Sequence, residues 1–136
     1  MSIADEIRDH QARCALPLIS LRILVHDDVL PPMPRRVVVD IAQATRAVLD
    51  EVEAAGRVAV AAAGTRSGHP GVRAFLQVRL DRLAAAASDA VDAALAGDAG
   101  ETTRHLRRFD ALTAAIWTVQ DSVCGPLTDK EESCLT

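Results

Sequence analysis

Apolar residues recur at steps of three and four along most of this chain, and the recurrence is broken only by short runs rich in Pro and Gly. Val38, Ile41, Thr45, Val48, Val52, Ala55 and Ala59 form one such stripe, predicting a long amphipathic helix from about Pro34 to Ala63. Leu49 and Val58 widen the stripe, and Gly56 marks a place for a bend, since Gly costs ~1 kcal/mol relative to Ala inside a helix. A second stripe runs through Val72, Leu76, Leu80, Leu83, Ala87, Ala90 and Ala94, flanked by Phe75, Val91 and Leu95, and predicts a helix over 70–96. Leu106, Phe109, Leu112, Ile116, Val119 and Val123 predict a third over 99–124.

The ends of these helices are marked by capping chemistry. Ser2 and Asp5 have the spacing of a capping box, in which each side chain satisfies an orphan backbone N–H of the other residue. Asp5 and Glu6 add negative charge where the helix dipole favours it. A first helix is therefore expected from Ile3 to about Ala15, interrupted or kinked by Pro17, which lacks the N–H that an interior position needs. Residues 18–26 are ambiguous. Ile19, Leu21, Ile23 and Val25 alternate as in a strand, whereas Leu18, Leu21, Leu24 and Val25 share a helical face. A lone strand would have no pairing partner, which favours helix.

Pro31, Pro32 and Pro34 make 30–34 a connector, and 64–71 reads as a loop with Pro70 at the first helical position of the next element. Gly97 fits a helix C-terminus, and Asp98 with Glu101 repeats the box spacing. The Gly125-Pro126 pair is expected to stop the last long helix, leaving 125–136 as a tail in which Thr128 and Glu131 form a third box pattern. The junction at 94–99 is generic helix-to-helix chemistry and points to no family.

Long amphipathic helices joined by short connections pack as antiparallel neighbours. The expected architecture is a single all-α domain over 1–136, an antiparallel helical bundle of about four helices, oligomeric. Composition agrees: aromatic residues make up only 2% of the chain, with no Tyr, so it lacks the side chains on which most sheets rely. Ala-rich runs such as 84–87 place small side chains on several helix faces, which suits close packing between copies as well as within one. Alternatively, Ala simply fills solvent positions as the best helix former.

The net charge is −4, so no overall attraction to nucleic acid or acidic lipid is expected. Lys130 is the one lysine among many arginines, a skew expected of a GC-rich, bacterial genome. The N-terminus is acidic and polar where a secretory signal would be basic and then apolar, and no apolar run reaches the ~20 residues of a membrane helix. The three cysteines, Cys14, Cys124 and Cys134, have no tight metal spacing, and with no export signal they are expected as reduced thiols in a cytoplasm.

Candidate chemistry is sparse. His26, Asp27 and Asp28 set a base beside two carboxylates, a pattern usable for acid–base catalysis and equally ordinary as solvated sequence. His105 and Asp110 have the spacing of a di-iron ligand pair, but the Glu-x-x-His pairs such centres need are missing. His10 and Cys14 share a helix face and could touch one metal ion, although a structural zinc site takes four ligands. Arg73, Arg79 and Arg82, with Arg104, Arg107 and Arg108, could form a phosphate- or protein-binding patch, or a salt-bridged solvent face with Asp81, Glu101 and Asp110. No Gly-rich phosphate loop or other cofactor motif is present.

The reading that follows is a cytoplasmic helical bundle acting through protein–protein contact, self-associating as a homodimer and contacting a protein partner through a helix face or the bundle ends. Nucleic acid and membrane are not expected partners, and no cofactor is expected. The alternative is a small helical enzyme or ligand-binding protein with an internal pocket lined by His and Asp.

Overall fold

The computed structural model describes the backbone of residues 2–26, 34–64 and 71–135, and the side chains of 2–25, 34–62 and 71–122. Four helices account for nearly all of it: α1 (Ile3–His26), α2 (Arg35–Gly64), α3 (Val72–Leu95) and α4 (Ala99–Leu135). Consecutive helices pack side by side, and α1 closes the ring against α4. Across the diagonals, α2 meets α4 while α1 and α3 do not come together among the described residues. The architecture is the antiparallel four-helix bundle that the stripes imply.

Each helix buries one seam. In α2 every residue of the expected stripe, from Val38 to Ala59, is buried, and Ala62 extends it. In α1, Ala4, Ile7, Cys14, Leu18 and Leu21 are buried, with Leu24 and Val25 partly so. The ambiguous 18–26 segment is helical, and α1 runs unbroken through Pro17. Pro17 withholds one backbone donor, but Cys14 and Leu18 on either side of it are anchored in the core, so the flanking turns are held by packing. In α3 the core positions are Leu76, Leu83, Ala86, Ala87, Ala90 and Ala94. Ala thus plays both parts: Ala86 and Ala87 are core, whereas Ala84 and Ala85 face solvent.

The caps follow the expected chemistry at three ends. Asp5 N–H donates to Ser2 Oγ at 3.2 Å and Ser2 N–H donates to Asp5 Oδ2 at 3.3 Å, a complete capping box. Gly97, at φ 74°, closes α3: its N–H donates to the Ala94 carbonyl and that of Asp98 to the Ala93 carbonyl, the paired bonds of a Schellman motif. Asp98 then caps α4 by accepting the Glu101 N–H at 3.0 Å. Glu101 does not reach back as a second box would require, because its carboxylate is taken by Arg104 at 2.7 Å.

Two boundaries differ from expectation. α3 begins at Val72 with Gly71 as its N-cap, at φ 84°, and Pro70 lies outside the described residues. α2 runs through Gly56 as one helix, as its stripe implies. α4 continues through Gly125-Pro126 to Leu135 rather than stopping there. A proline inside a helix removes one hydrogen bond without forbidding the turns on either side. The side chains of Cys124, Thr128, Glu131 and Cys134 lie outside the described set, as do the 27–33 connector and the 65–70 loop. Among the described residues, no helix is long and apolar enough to cross a membrane.

The center of the core is Phe109, which has no solvent exposure, in one cluster with Ile41, Val48, Leu83 and Ile116. Phe109→Ala should therefore lower the free energy of unfolding by about 3–5 kcal/mol. Phe75→Ala should cost much less, because that ring is 44% exposed. Urea denaturation of the two variants checks the difference, and equal losses would contradict the placement of Phe109.

Candidate functional site

On α4 the buried side chains include three that an apolar pattern omits: Thr102, Thr113 and Gln120. With Leu106, Phe109 and Ile116 they complete an unbroken alternation of four- and three-residue steps from 102 to 120. Leu112 and Val119, read from sequence as part of the seam, are only partly buried. The two threonines satisfy themselves within the helix. Thr113 donates to the Phe109 carbonyl at 2.9 Å and Thr102 to the Asp98 carbonyl at 2.7 Å. Thr45 on α2 does the same with Ile41 at 2.8 Å.

Gln120 has no such solution. Its side chain is 1% exposed, and its Oε1 is buried without a hydrogen-bond partner. Gly56 lies opposite on α2, and a Cβ there would sit 3.7 Å from Gln120 Nε2. That is ordinary van der Waals distance, so the carboxamide packs directly against the Gly56 backbone region of α2. Above it opens a cleft of about 390 Å³ between α2 and α3. Val52, Val60, Leu76, Leu80 and Ile116 form its apolar walls, and Gln120 lines it from below. Glu53, Arg57, Arg73 and Gln77 also line the cleft. Arg57 is paired with Glu53 at 3.4 Å and Gln77 bonds Asp81 at 2.9 Å, whereas Arg73 has no ion-pair partner among the described residues.

The residues singled out from sequence are distributed elsewhere. Asp110 accepts two bonds from Arg22 of α1, at 2.8 and 3.0 Å, tying α1 to α4. His105 instead lies beside Glu101, with Nε2 3.5 Å from that carboxylate, in a shallow surface hollow with Asp89 and Asp92 of α3. Five residues apart on one helix, His105 and Asp110 point about 140° away from each other, so they do not converge on one pocket. His105 Nδ1 is buried without a partner. Asp27 and Asp28 lie outside the described residues, as does the side chain of His26.

His10 and Cys14 separate by burial. Cys14 lies in the core at 1% exposure, and desolvation, with Glu51 nearby, pushes its thiol up to about 11. It stays protonated at neutral pH and is a poor ligand or nucleophile. His10 Nδ1 meets Glu51 of α2 at 2.5 Å, and Arg13 approaches the same oxygen at 3.5 Å. The hydrogen bond from His10, helped by Arg13, holds the Glu51 carboxyl below its ordinary range. Among the described residues no group of three or more His, Cys, Asp or Glu is placed to hold a metal ion.

The arginines do not act as one set. Arg104 is held by Glu101, and Arg79 stacks on Phe75 with its guanidinium 3.3 Å from the ring centroid. Arg73 lines the α2–α3 cleft, and Arg107 lines a separate hollow with Leu21, Val25 and Asp110. Arg82 and Arg108 are solvent-exposed.

A second surface was not singled out in the sequence. The outer face of α1 exposes Leu16 at 77%, Ile19 at 47% and Ile23 at 53%, although the opposite face of the same helix already fills the core. Leu16, Pro17 and Ile23 border a groove whose α2 side is Asp40, Gln43, Ala44 and Ala47. The alternation of Ile19, Leu21 and Ile23 that resembles a strand is a helix carrying apolar residues on two sides.

Two measurements test this picture. Gln120→Leu preserves volume and removes an unsatisfied buried acceptor, so it should raise unfolding free energy by about 1–3 kcal/mol; a loss of stability in urea would refute the unsatisfied state of the amide. Glu51, whose folded carboxyl is depressed, contributes stability that is complete above its ordinary value of 4.5 and is lost as pH falls through the lower folded value. The difference in thermal midpoint between wild type and Glu51→Gln should therefore shrink as pH falls below 4.5. Comparison with protein-family models, curated proteins and solved structures finds no match to this chain.

Proposed function

We propose that this chain is a cytoplasmic interaction module that self-associates as a homodimer through the outer face of α1 and so presents a regulatory or scaffolding surface to a protein partner. The observation that carries this reading is the row of Leu16, Ile19 and Ile23, exposed at three- and four-residue spacing with no cover among the described residues. Isolated apolar side chains on a surface are ordinary, but a contiguous row of three large ones beside a groove favours association. A second copy suits this row because a two-fold axis lets one stripe of three- and four-residue spacing meet itself.

Charge supports the same occupant. Arg13 and Arg22 border the stripe, and each is neutralised within its own subunit, Arg13 by Glu51 at 3.5 Å and Arg22 by Asp110 at 2.8 Å. Two copies can approach without opposing unpaired arginines. Ala12, Ala15 and Ser20 are the exposed neighbours of the stripe, and their small size lets two helices come close.

Sedimentation equilibrium of the intact chain tests the reading. Wild type should have twice the 14.5 kDa mass of one chain, and Ile19→Glu with Ile23→Glu should bring it to one. Val78→Glu, at an exposed position on α3, should leave the dimer intact. A wild type that stays monomeric at high micromolar concentration, or a dimer indifferent to the α1 changes, would sink the proposal.

A further inference from the structure

The α2–α3 cleft is separate from the α1 surface, since among the described residues α1 supplies no part of its lining. Its volume of about 390 Å³ lies in the range of small-molecule sites, which are mainly apolar with a few directing polar groups. Three features of its lining select a ligand. The walls, Val60, Leu76 and Ile116 among them, require an apolar body. The Gln120 Oε1 is buried with no hydrogen-bond partner among the described residues, while buried polar groups in proteins are nearly always paired. The charges are Arg57, Arg73 and Glu53, and because Arg57 is engaged by Glu53 the uncompensated charge is the single positive one of Arg73.

We propose that this cleft binds a small monocarboxylate with an apolar chain and a hydroxyl group at the far end. The carboxylate pairs with the Arg73 guanidinium, the chain lies along the apolar walls, and the distal hydroxyl donates to the unpaired Gln120 Oε1. A monoanion matches the lone uncompensated charge, whereas a phosphate, with greater negative charge, would also face the Glu53 carboxylate. Arg73 stands in the first turn of α3, whose N-cap Gly71 supplies no side-chain cap and whose first turn holds no acidic residue, so the positive end of the helix adds to the attraction. Gly56 and Gln120 both line the cleft, from α2 and α4. A hydroxyl can both donate and accept, so it completes the amide in either orientation.

The probes are ω-hydroxyoctanoate, octanoate and octanol, titrated into the isotopically labelled intact protein at neutral pH and followed by amide chemical shifts. Both carboxylates should shift Gly56, Leu76 and Gln120, and the hydroxylated one should bind about fivefold more tightly, the worth of one ordinary hydrogen bond. Gln120→Leu should erase that difference while leaving octanoate binding in place. Arg73→Gln, at an exposed position where folding is not at stake, should weaken both carboxylates about tenfold and leave octanol unchanged. Absence of shifts at the cleft with millimolar ω-hydroxyoctanoate would overturn the proposal. So would equal affinities for the two carboxylates in wild type, or binding indifferent to Arg73→Gln. The oligomeric state is read separately by sedimentation, so failure here is distinguishable from failure of the α1 interface.

Discussion

Closure of one apolar core from four separate helices is the constraint on which the rest of this structure depends. Phe109, Leu83, Ile41 and Val48 come from three of the helices and belong to one cluster with Cys14, Leu18 and Leu21 of α1. An isolated helix of ordinary composition is marginal in water, and burial of its seam supplies most of its stability. That explains how α1 carries Pro17 in its interior: its neighbours on both sides are held by tertiary packing. It also explains why local stop signals are weaker guides than buried stripes.

Around that core, polar pairs set how α1 sits. His10 reaches Glu51 on α2, Arg22 grips Asp110 on α4, and Gln11 bonds Asp121 at 3.0 Å. These pairs lie near both ends of α1 and hold its rotation, so Ile7, Cys14 and Leu21 point inward while Leu16, Ile19 and Ile23 point to solvent. The outward row therefore follows from the same packing that fills the core. The exposed pairs, Arg22–Asp110 and Gln11–Asp121, add little stability singly, and their contribution here is orientation.

Buried polarity divides the molecule differently. Thr45, Thr102 and Thr113 each return a hydroxyl to a carbonyl of their own helix, so the bundle absorbs them at small cost. A glutamine at the equivalent seam position lies beside Gly56 with its Oε1 unpaired. Where a packed interior leaves a polar group unsatisfied, a role outside folding is the physical reason to look for. The α1 face and the α2–α3 cleft share no lining residue, so one can be occupied without occluding the other.

Much of the fold was legible along the chain. The α2 stripe, the Ser2–Asp5 box and the Gly97 closure are local patterns whose physics acts within a turn or two, and each stands where its residues imply. The outward row on α1 was less so, because Ile19 and Ile23 carry the same apolar signal as residues of the core, and only the neighbours of a helix decide which side is inside. The cleft was not legible as such. A polar residue at position 120 breaks an apolar pattern, although the four- and three-residue steps from Thr102 through Leu106, Phe109, Thr113 and Ile116 lead to it. His105 and Asp110 looked like a pair by spacing, yet one faces α3 and the other α1. Periodicity and capping, by themselves, determined that this chain makes long amphipathic helices, since those signals are read within a single element. Which polar groups meet, which apolar face turns outward and where a cleft lies over Gln120 were decided only by the tertiary structure, because each depends on the rotation of one helix against another.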